Sequence, residues 1–139
     1  MILLGADPEV FASQKGALVS AHGMVPGTKK EPHVVRRGAV QVDGMALEFN
    51  IDPAANEDEF VMNIDEVMRQ LRSMVPGTKL LAEPVAEFGK EMIDLQPPEA
   101  KELGCDPDFN AWADGEENPV PNVDAPFRTG SGHVHIGLW

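Results

Sequence analysis

Three short stretches of this chain each carry two side chains able to bind metal or move protons, separated by a single residue. They are Asp7-Pro8-Glu9, Glu48-Phe49-Asn50 and His133-Val134-His135. On an extended strand, residues i and i+2 project from the same face, roughly 6.5 Å apart. Each pair therefore points one way. In the second and third pairs the intervening residue is apolar and faces the opposite side, as on a strand laid over a core. If the three strands share a sheet, one of its faces gathers carboxylates, an amide and two imidazoles. Burying such charges without partners costs several kcal/mol, and a divalent metal is the economical partner.

The donor types narrow the metal. Carboxylates with one or two histidines suit Mg²⁺ or Mn²⁺, with water or phosphate oxygens completing the shell. Zinc is the alternative for His133 and His135, although no cysteine cluster stands beside them. A hydrolytic metal site is compatible with the same spacing. Taken singly, Asp7 with Glu9, or Glu48 with Asn50, reads as a solvated strand face; the three pairs together carry the site reading. Gly130, Ser131, Gly132 and Gly137 flank the histidines, and glycine allows close approach of backbone to a ligand. Arg128 stands just before them, where a guanidinium fork suits a phosphate or a carboxylate. Neither a P-loop motif nor a dinucleotide fingerprint is present.

The elements that must position these residues follow from periodicity and turn signals. Ile2 to Ser13 reads as extended, Gln14-Lys15-Gly16 as a turn, and Ala17 to Ala21 as a returning strand. A Gly-, Pro- and Lys-rich loop runs from His22 to His33. Val34 to Val42 and Met45 to Ile51 form two strands joined at Asp43-Gly44, a tight-hairpin pair. Asn56 with Glu59 three residues on resembles a capping box. Phe60, Ile64, Val67, Met68, Leu71 and Met74 then recur at helical spacing, which predicts an amphipathic helix over 57–74, packed on the sheet face opposite the polar pairs. Thr78 to Phe88 is a further strand across Pro84. Pro98 to Leu103 is a short helix stopped by Gly104, Asp106 to Asp124 is a loop carrying Trp112, and Phe127 to Trp139 is a glycine-interrupted strand. Met24-Val25-Pro26-Gly27-Thr28-Lys29 recurs as Met74-Val75-Pro76-Gly77-Thr78-Lys79, but the flanks differ, so the echo reads as coincidence or a shared turn type. The fold class is α+β: one domain spanning 1–139, a mostly antiparallel sheet with helices on one face.

Composition bounds the function. The 139 residues suffice for one domain with a real core. The net charge of −12 speaks against a nucleic-acid backbone as partner, which needs a basic face. Cys105 is the only cysteine, so no internal disulfide forms. Asp106 and Asp108 would raise its thiol pKa, the wrong direction for a nucleophile. No stretch approaches the ~18 apolar residues of a membrane span, and the chain reads as cytoplasmic with no membrane partner. Trp112 is more naturally a core or loop anchor than an adenine-stacking group.

Five segments, in order along nearly the whole chain, resemble the phage carboxylate-to-amine ligases of the second type, grouped by fold with glutamine synthetase and glutamate–cysteine ligase. They are Gly5-Ala6-Asp7-Pro8-Glu9, the Pro26-Gly27-Thr28-Lys29 loop, Glu48-Phe49-Asn50-Ile51, Gly104 to Trp112, and Arg128 to Gly137. The resemblance implies a glutamine-synthetase-like sheet that binds ATP with Mg²⁺ or Mn²⁺. It implies transfer of the γ-phosphoryl group to a small-molecule or peptide carboxylate, and attack by an amine on the acyl phosphate to form an amide. By position it implies Asp7, Glu9, Glu48, His133 and His135 as metal groups, Glu48 and Arg128 as catalytic groups, and Asn50, Arg128 and Lys29 as groups that hold nucleotide. Members of that superfamily usually continue past the His-x-His strand. The sequence reading is therefore a ligase domain or the first portion of one, with little turnover alone: a fragment, a split protein completed by a second polypeptide or another copy, or a degenerate copy with a structural role. The alternatives are a metal-dependent hydrolase and a non-catalytic interaction module that keeps the fold.

Overall fold

The computed structural model describes residues 1–103 and 107–138. Gly104, Cys105, Asp106 and Trp139 lie outside the described residues, and with them the helix stop assigned to Gly104 and the packing role assigned to Cys105. Among the described residues ten strands and three helices follow one another: β1 (Ile2–Ala6), β2 (Glu9–Gln14), β3 (Ala17–Val19), β4 (His33–Val35), β5 (Gly38–Asp43), β6 (Ala46–Ile51), α1 (Glu57–Met74), β7 (Lys79–Leu81), β8 (Val85–Glu87), α2 (Lys90–Asp94), α3 (Pro98–Lys101), β9 (Phe127–Thr129) and β10 (Val134–Leu138). The main sheet runs β3-β2-β6-β5-β4, with β7 paired to β2, and two ribbons, β1-β10 and β8-β9, complete the pairing. All strand pairs are antiparallel. Among the described residues, no helix is long and apolar enough to cross a membrane.

Strand alternation divides the main sheet into two faces. Val10, Ala12, Val40, Leu47, Phe49 and Ile51 point to one face and form a core with Val67 and Leu71 of α1; Phe60, Ile64, Met68 and Met74 of the helix stripe pack partly buried against it. The helix begins as its sequence predicts: Asn56 Oδ1 accepts from Glu59 N at 2.9 Å. The reciprocal arm differs, since Glu59 Oε2 accepts from Ala55 N (2.8 Å), one residue upstream of the cap. Glu57, Asp58 and Glu59 in the first turn and Arg72 in the last suit the helix dipole.

The opposite face holds a second core of Phe11, Met45, Ala46, Ala86, Phe88, Ile93 and Ala100. Ile93 belongs to α2 and Ala100 to α3, so the helices lie on both faces of the sheet rather than on one. The reason is on the strands: Phe11 and Ala46 each stand two residues from a carboxylate on the polar face, and these apolar groups need cover of their own.

Several predicted strands divide. Ile2 to Ser13 breaks at Asp7-Pro8, and Thr78 to Phe88 breaks around Pro84, where proline removes a ladder donor. Val34 to Val42 turns at Arg36-Arg37, neither of them a usual turn former, just before Gly38; Arg37 has φ +66°. Helix α1 holds this turn. Gln70 accepts from Arg36 N (3.0 Å) and donates to Arg36 O (2.8 Å), and Arg37 Nη1 donates to the buried Asn63 Oδ1 at 2.8 Å. The terminal strand splits into β9 and β10, which belong to different ribbons. Short helix α2 has no counterpart in the sequence reading. Trp112, 97% exposed, anchors no core. The two copies of the repeated hexapeptide share a left-handed glycine, Gly27 (φ +101°) and Gly77 (φ +76°), and so a turn device.

Candidate metal centre

The hairpin of β5 and β6 sets one side of the site. Its two-residue turn is Gly44-Met45, with Gly44 at φ +58°. Asp43 is therefore the last residue of β5, paired with Ala46, and not part of the turn. Being two residues from Gln41, it projects from the polar face. Gln41 stands directly opposite Glu48, and Glu48 directly opposite Glu9 on β2. One row across three strands thus reads Glu9, Glu48, Gln41, with Asp43 beside it. One carboxylate oxygen from each of Glu9, Asp43 and Glu48 lies within 4.8 Å of the other two.

Hydrogen bonds fix the row. Gln41 Nε2 donates to Glu48 Oε2 at 2.9 Å. Ser131 N donates to Glu9 Oε2 at 2.8 Å, while Glu9 N donates to Ser131 O at 2.8 Å. The electrostatics are those of crowded anions. Burial pushes Glu48 up to about 7, helped by the charges of Asp43, Glu9 and Asp7 and opposed by the Gln41 bond. Burial also raises Glu9, as does Asp43, against the Ser131 amide and the positive charge of Lys29.

A second cluster forms where β10 meets the break between β1 and β2. Asp7 N donates to His133 O (3.2 Å), which carries the β1-β10 pairing on toward β2. Asp7 Oδ1 accepts from His133 N at 2.8 Å and lies 3.1 Å from His133 Nδ1; Asp7 Oδ2 lies 3.1 Å from His135 Nε2. An ionised carboxylate only accepts, so the ring protons sit on those two nitrogens. Burial pushes the Asp7 carboxyl up, but the His135 bond, the His133 amide and the two imidazoles together hold it below its ordinary value.

The predicted site residues thus fall into two groups. Glu9 and Glu48 converge, joined by Asp43, which the sequence reading assigned to a turn. Asp7, His133 and His135 converge with each other, and among the described residues the acidic cluster includes no histidine. Asp7 lies between strands and His133 just before β10, so neither sits on the regular strand that the spacing argument assumed. Asn50 shares the face of Glu48 but stands opposite Ala39, at the end of the row away from Asp43. Lys29 lines a cavity of about 560 Å³ together with Asp43 and Lys30. Arg128 departs most from its expected role. It is buried in β9, with Nη1 donating to Ala125 O (3.0 Å) and Phe127 O (2.8 Å) and Nη2 to Val123 O (2.6 Å). Those donors tie down the 123–127 segment instead of offering a fork to a phosphate.

The donor set fits a hard divalent cation. Three carboxylates without sulfur or nitrogen suit Mg²⁺, Mn²⁺ or Ca²⁺ and leave coordination positions for water or phosphate oxygens. Comparison with protein-family models, curated proteins and solved structures returns no match to this chain.

Proposed function

We propose that this chain carries the metal- and nucleotide-binding part of an ATP-dependent carboxylate–amine ligase, with Glu9, Asp43 and Glu48 holding Mg²⁺ or Mn²⁺. The observation that supports this reading is the convergence of those three carboxylates on one sheet face. When bound, the ion would neutralise phosphate charge during phosphoryl transfer. The chain's own residues do the positioning. Gln41 orients Glu48, and the Ser131 amide orients Glu9. Lys29 and Lys30, on the cavity beyond Asp43, supply positive charge for a polyphosphate in place of Arg128, whose terminal nitrogens are bonded to backbone carbonyls. The substrates are a small-molecule or peptide carboxylate and an amine. The test is Mn²⁺ binding followed by electron paramagnetic resonance, with and without a non-hydrolysable ATP analogue. Mutual enhancement of the two ligands, lost in Glu48→Gln, supports the ligase; metal binding indifferent to nucleotide sinks it.

A second reading draws on the other cluster. Asp7 orients two exposed imidazoles, an arrangement suited to general-base work in a metal-dependent hydrolase. Hydrolysis of a chromogenic ester or phosphodiester, dependent on His133 and His135 and independent of ATP, would favour it.

A further inference from the structure

We propose that the cavity beside the three carboxylates binds a primary amine with an apolar body, such as an alkylamine. The cavity of about 530 Å³ lies between the polar sheet face and the 121–131 segment, within the size range of about 300–1,000 Å³ usual for small-ligand sites. Its apolar lining includes the buried Phe11, Met45 and Ala46 and the partly exposed Phe127. The carboxylates of Glu9, Asp43 and Glu102 line it as well.

The charge argument selects the ligand. Arg128 is the cation among the described lining residues, and its three donated bonds go to the backbone carbonyls of Val123, Ala125 and Phe127. It braces the wall and leaves the acidic groups to set the polarity. A carboxylate or phosphate entering here would meet like charge in partly buried surroundings, which is repulsive. An ammonium group donates three hydrogen bonds and accepts none, which matches a rim of acceptors. Its hydrocarbon body then removes water from Phe11, Met45 and Phe127. A divalent ion held by Glu9, Asp43 and Glu48 does not cancel this preference. Glu102 stands outside that triad and remains a carboxylate acceptor for the ammonium group.

The site stands on the cavity itself; only its assignment as the amine-substrate pocket rests on the ligase reading above. The probe is n-hexylamine, which is an ammonium ion at pH 7.5, compared with hexanol and hexanoate of the same chain length. Binding to the full chain is measured by titration calorimetry with Mg²⁺ present and with EDTA. The expected result is hexylammonium binding at least about tenfold tighter than hexanol in both conditions, with no detectable hexanoate binding. Glu102→Gln, which changes an exposed carboxylate outside the acidic triad, is expected to weaken hexylammonium about three- to tenfold and leave Mn²⁺ affinity intact. Phe127→Ser, at a side chain that is 41% exposed, is expected to weaken hexylammonium and hexanol alike. Equal affinity for hexanol or hexanoate, or an affinity that either substitution leaves unmoved, overturns the proposal. Loss of the amine preference with Mn²⁺ binding intact removes this site alone; failure to bind Mn²⁺ with the amine preference intact removes the metal reading alone.

Discussion

Replacing Glu48 by glutamine tests the electrostatics of the carboxylate row directly. Burial and three neighbouring anions raise this carboxyl from 4.5 to about 7. The folded protein therefore holds a proton on Glu48 that the unfolded chain releases. Stability from this group is fully present below its unfolded value near 4.5 and is lost as pH rises through about 7. At 1.36 kcal/mol per pH unit, the full difference corresponds to about 3.4 kcal/mol. The side chain is only half-buried, so solvent screening cuts this by roughly half, to about 1.5–2 kcal/mol. Glutamine keeps the shape and a carbonyl oxygen to accept from Gln41 Nε2, but carries no charge. In EDTA at pH 8, urea unfolding is expected to show Glu48→Gln more stable than the parent by about 1.5–2 kcal/mol, and equal to it at pH 4. Glu9 is also raised, so part of the parent's pH dependence survives in the variant. Adding Mn²⁺ at pH 8 should reverse the order, because a ligand at 100 times its Kd contributes about 2.7 kcal/mol to the state that binds it. A variant that is less stable than the parent at pH 8 in EDTA would refute the reasoning, since it would mean that the ionised carboxylate is stabilised where it sits. Equal stabilisation of both proteins by Mn²⁺ would place the ion elsewhere.

Four further substitutions probe this row and the fold that carries it. Asp43→Asn should weaken Mn²⁺ binding at least about tenfold and lower the Glu48 midpoint seen in a carboxyl-carbon NMR titration, because it removes both a donor and a neighbouring anion; an unmoved midpoint would separate Asp43 from the site. Leu71→Ala should cost about 2–5 kcal/mol in chemical denaturation, since Leu71 is wholly buried beneath the sheet; a cost below 1 kcal/mol, roughly that of a surface change, would contradict the packing of α1. Gly27→Ala and Gly77→Ala share a motif but should differ in cost. A Cβ on Gly77 meets nothing within 4 Å and suffers only the left-handed conformation, about 1–2 kcal/mol, whereas a Cβ on Gly27 would lie 2.5 Å from Val40 O, so the Gly27 variant should be clearly the less stable in urea, and equal midpoints would count against the close approach.

What the sequence made legible was governed by local rules. Asn56, Glu59 and the stripe from Phe60 to Met74 state a capped, amphipathic helix, and α1 spans the eighteen residues 57–74 as the periodicity predicts. Alternation placed Glu48 opposite the helix face. Two of the misses have non-local causes. The Arg36-Arg37 turn is held by Asn63 and Gln70, more than twenty-five residues along the chain, and its own sequence offers only Gly38 as a turn signal. Arg128 looked available beside a glycine-rich segment, but its guanidinium folds back on carbonyls one to five residues upstream, a local contact that no spacing rule announces. The histidines were grouped with Glu48 by spacing, whereas pairing between β1 and β10 brings them to Asp7.

The β5-β6 hairpin shows how one residue of register decides what this protein can do. Asp43-Gly44 resembles a favoured turn pair, and with Asp43 in the turn its carboxylate would have left the sheet. The observed turn, Gly44-Met45, moves Asp43 into the ladder and Met45 into the second core. Burial enforces this choice. Because side chains alternate, slipping the β6 register by one residue would send Glu48 into the α1 core and expose Leu47 on the polar face. Leu47, Phe49 and Ile51 are buried against the helix, so that exchange would lose apolar burial at three positions and bury a carboxylate besides. The apolar residues that define the core therefore also hold Glu9, Asp43 and Glu48 in one row. The acidic cluster, unfavourable in itself, persists because the packing beneath it leaves these carboxylates nowhere else to go.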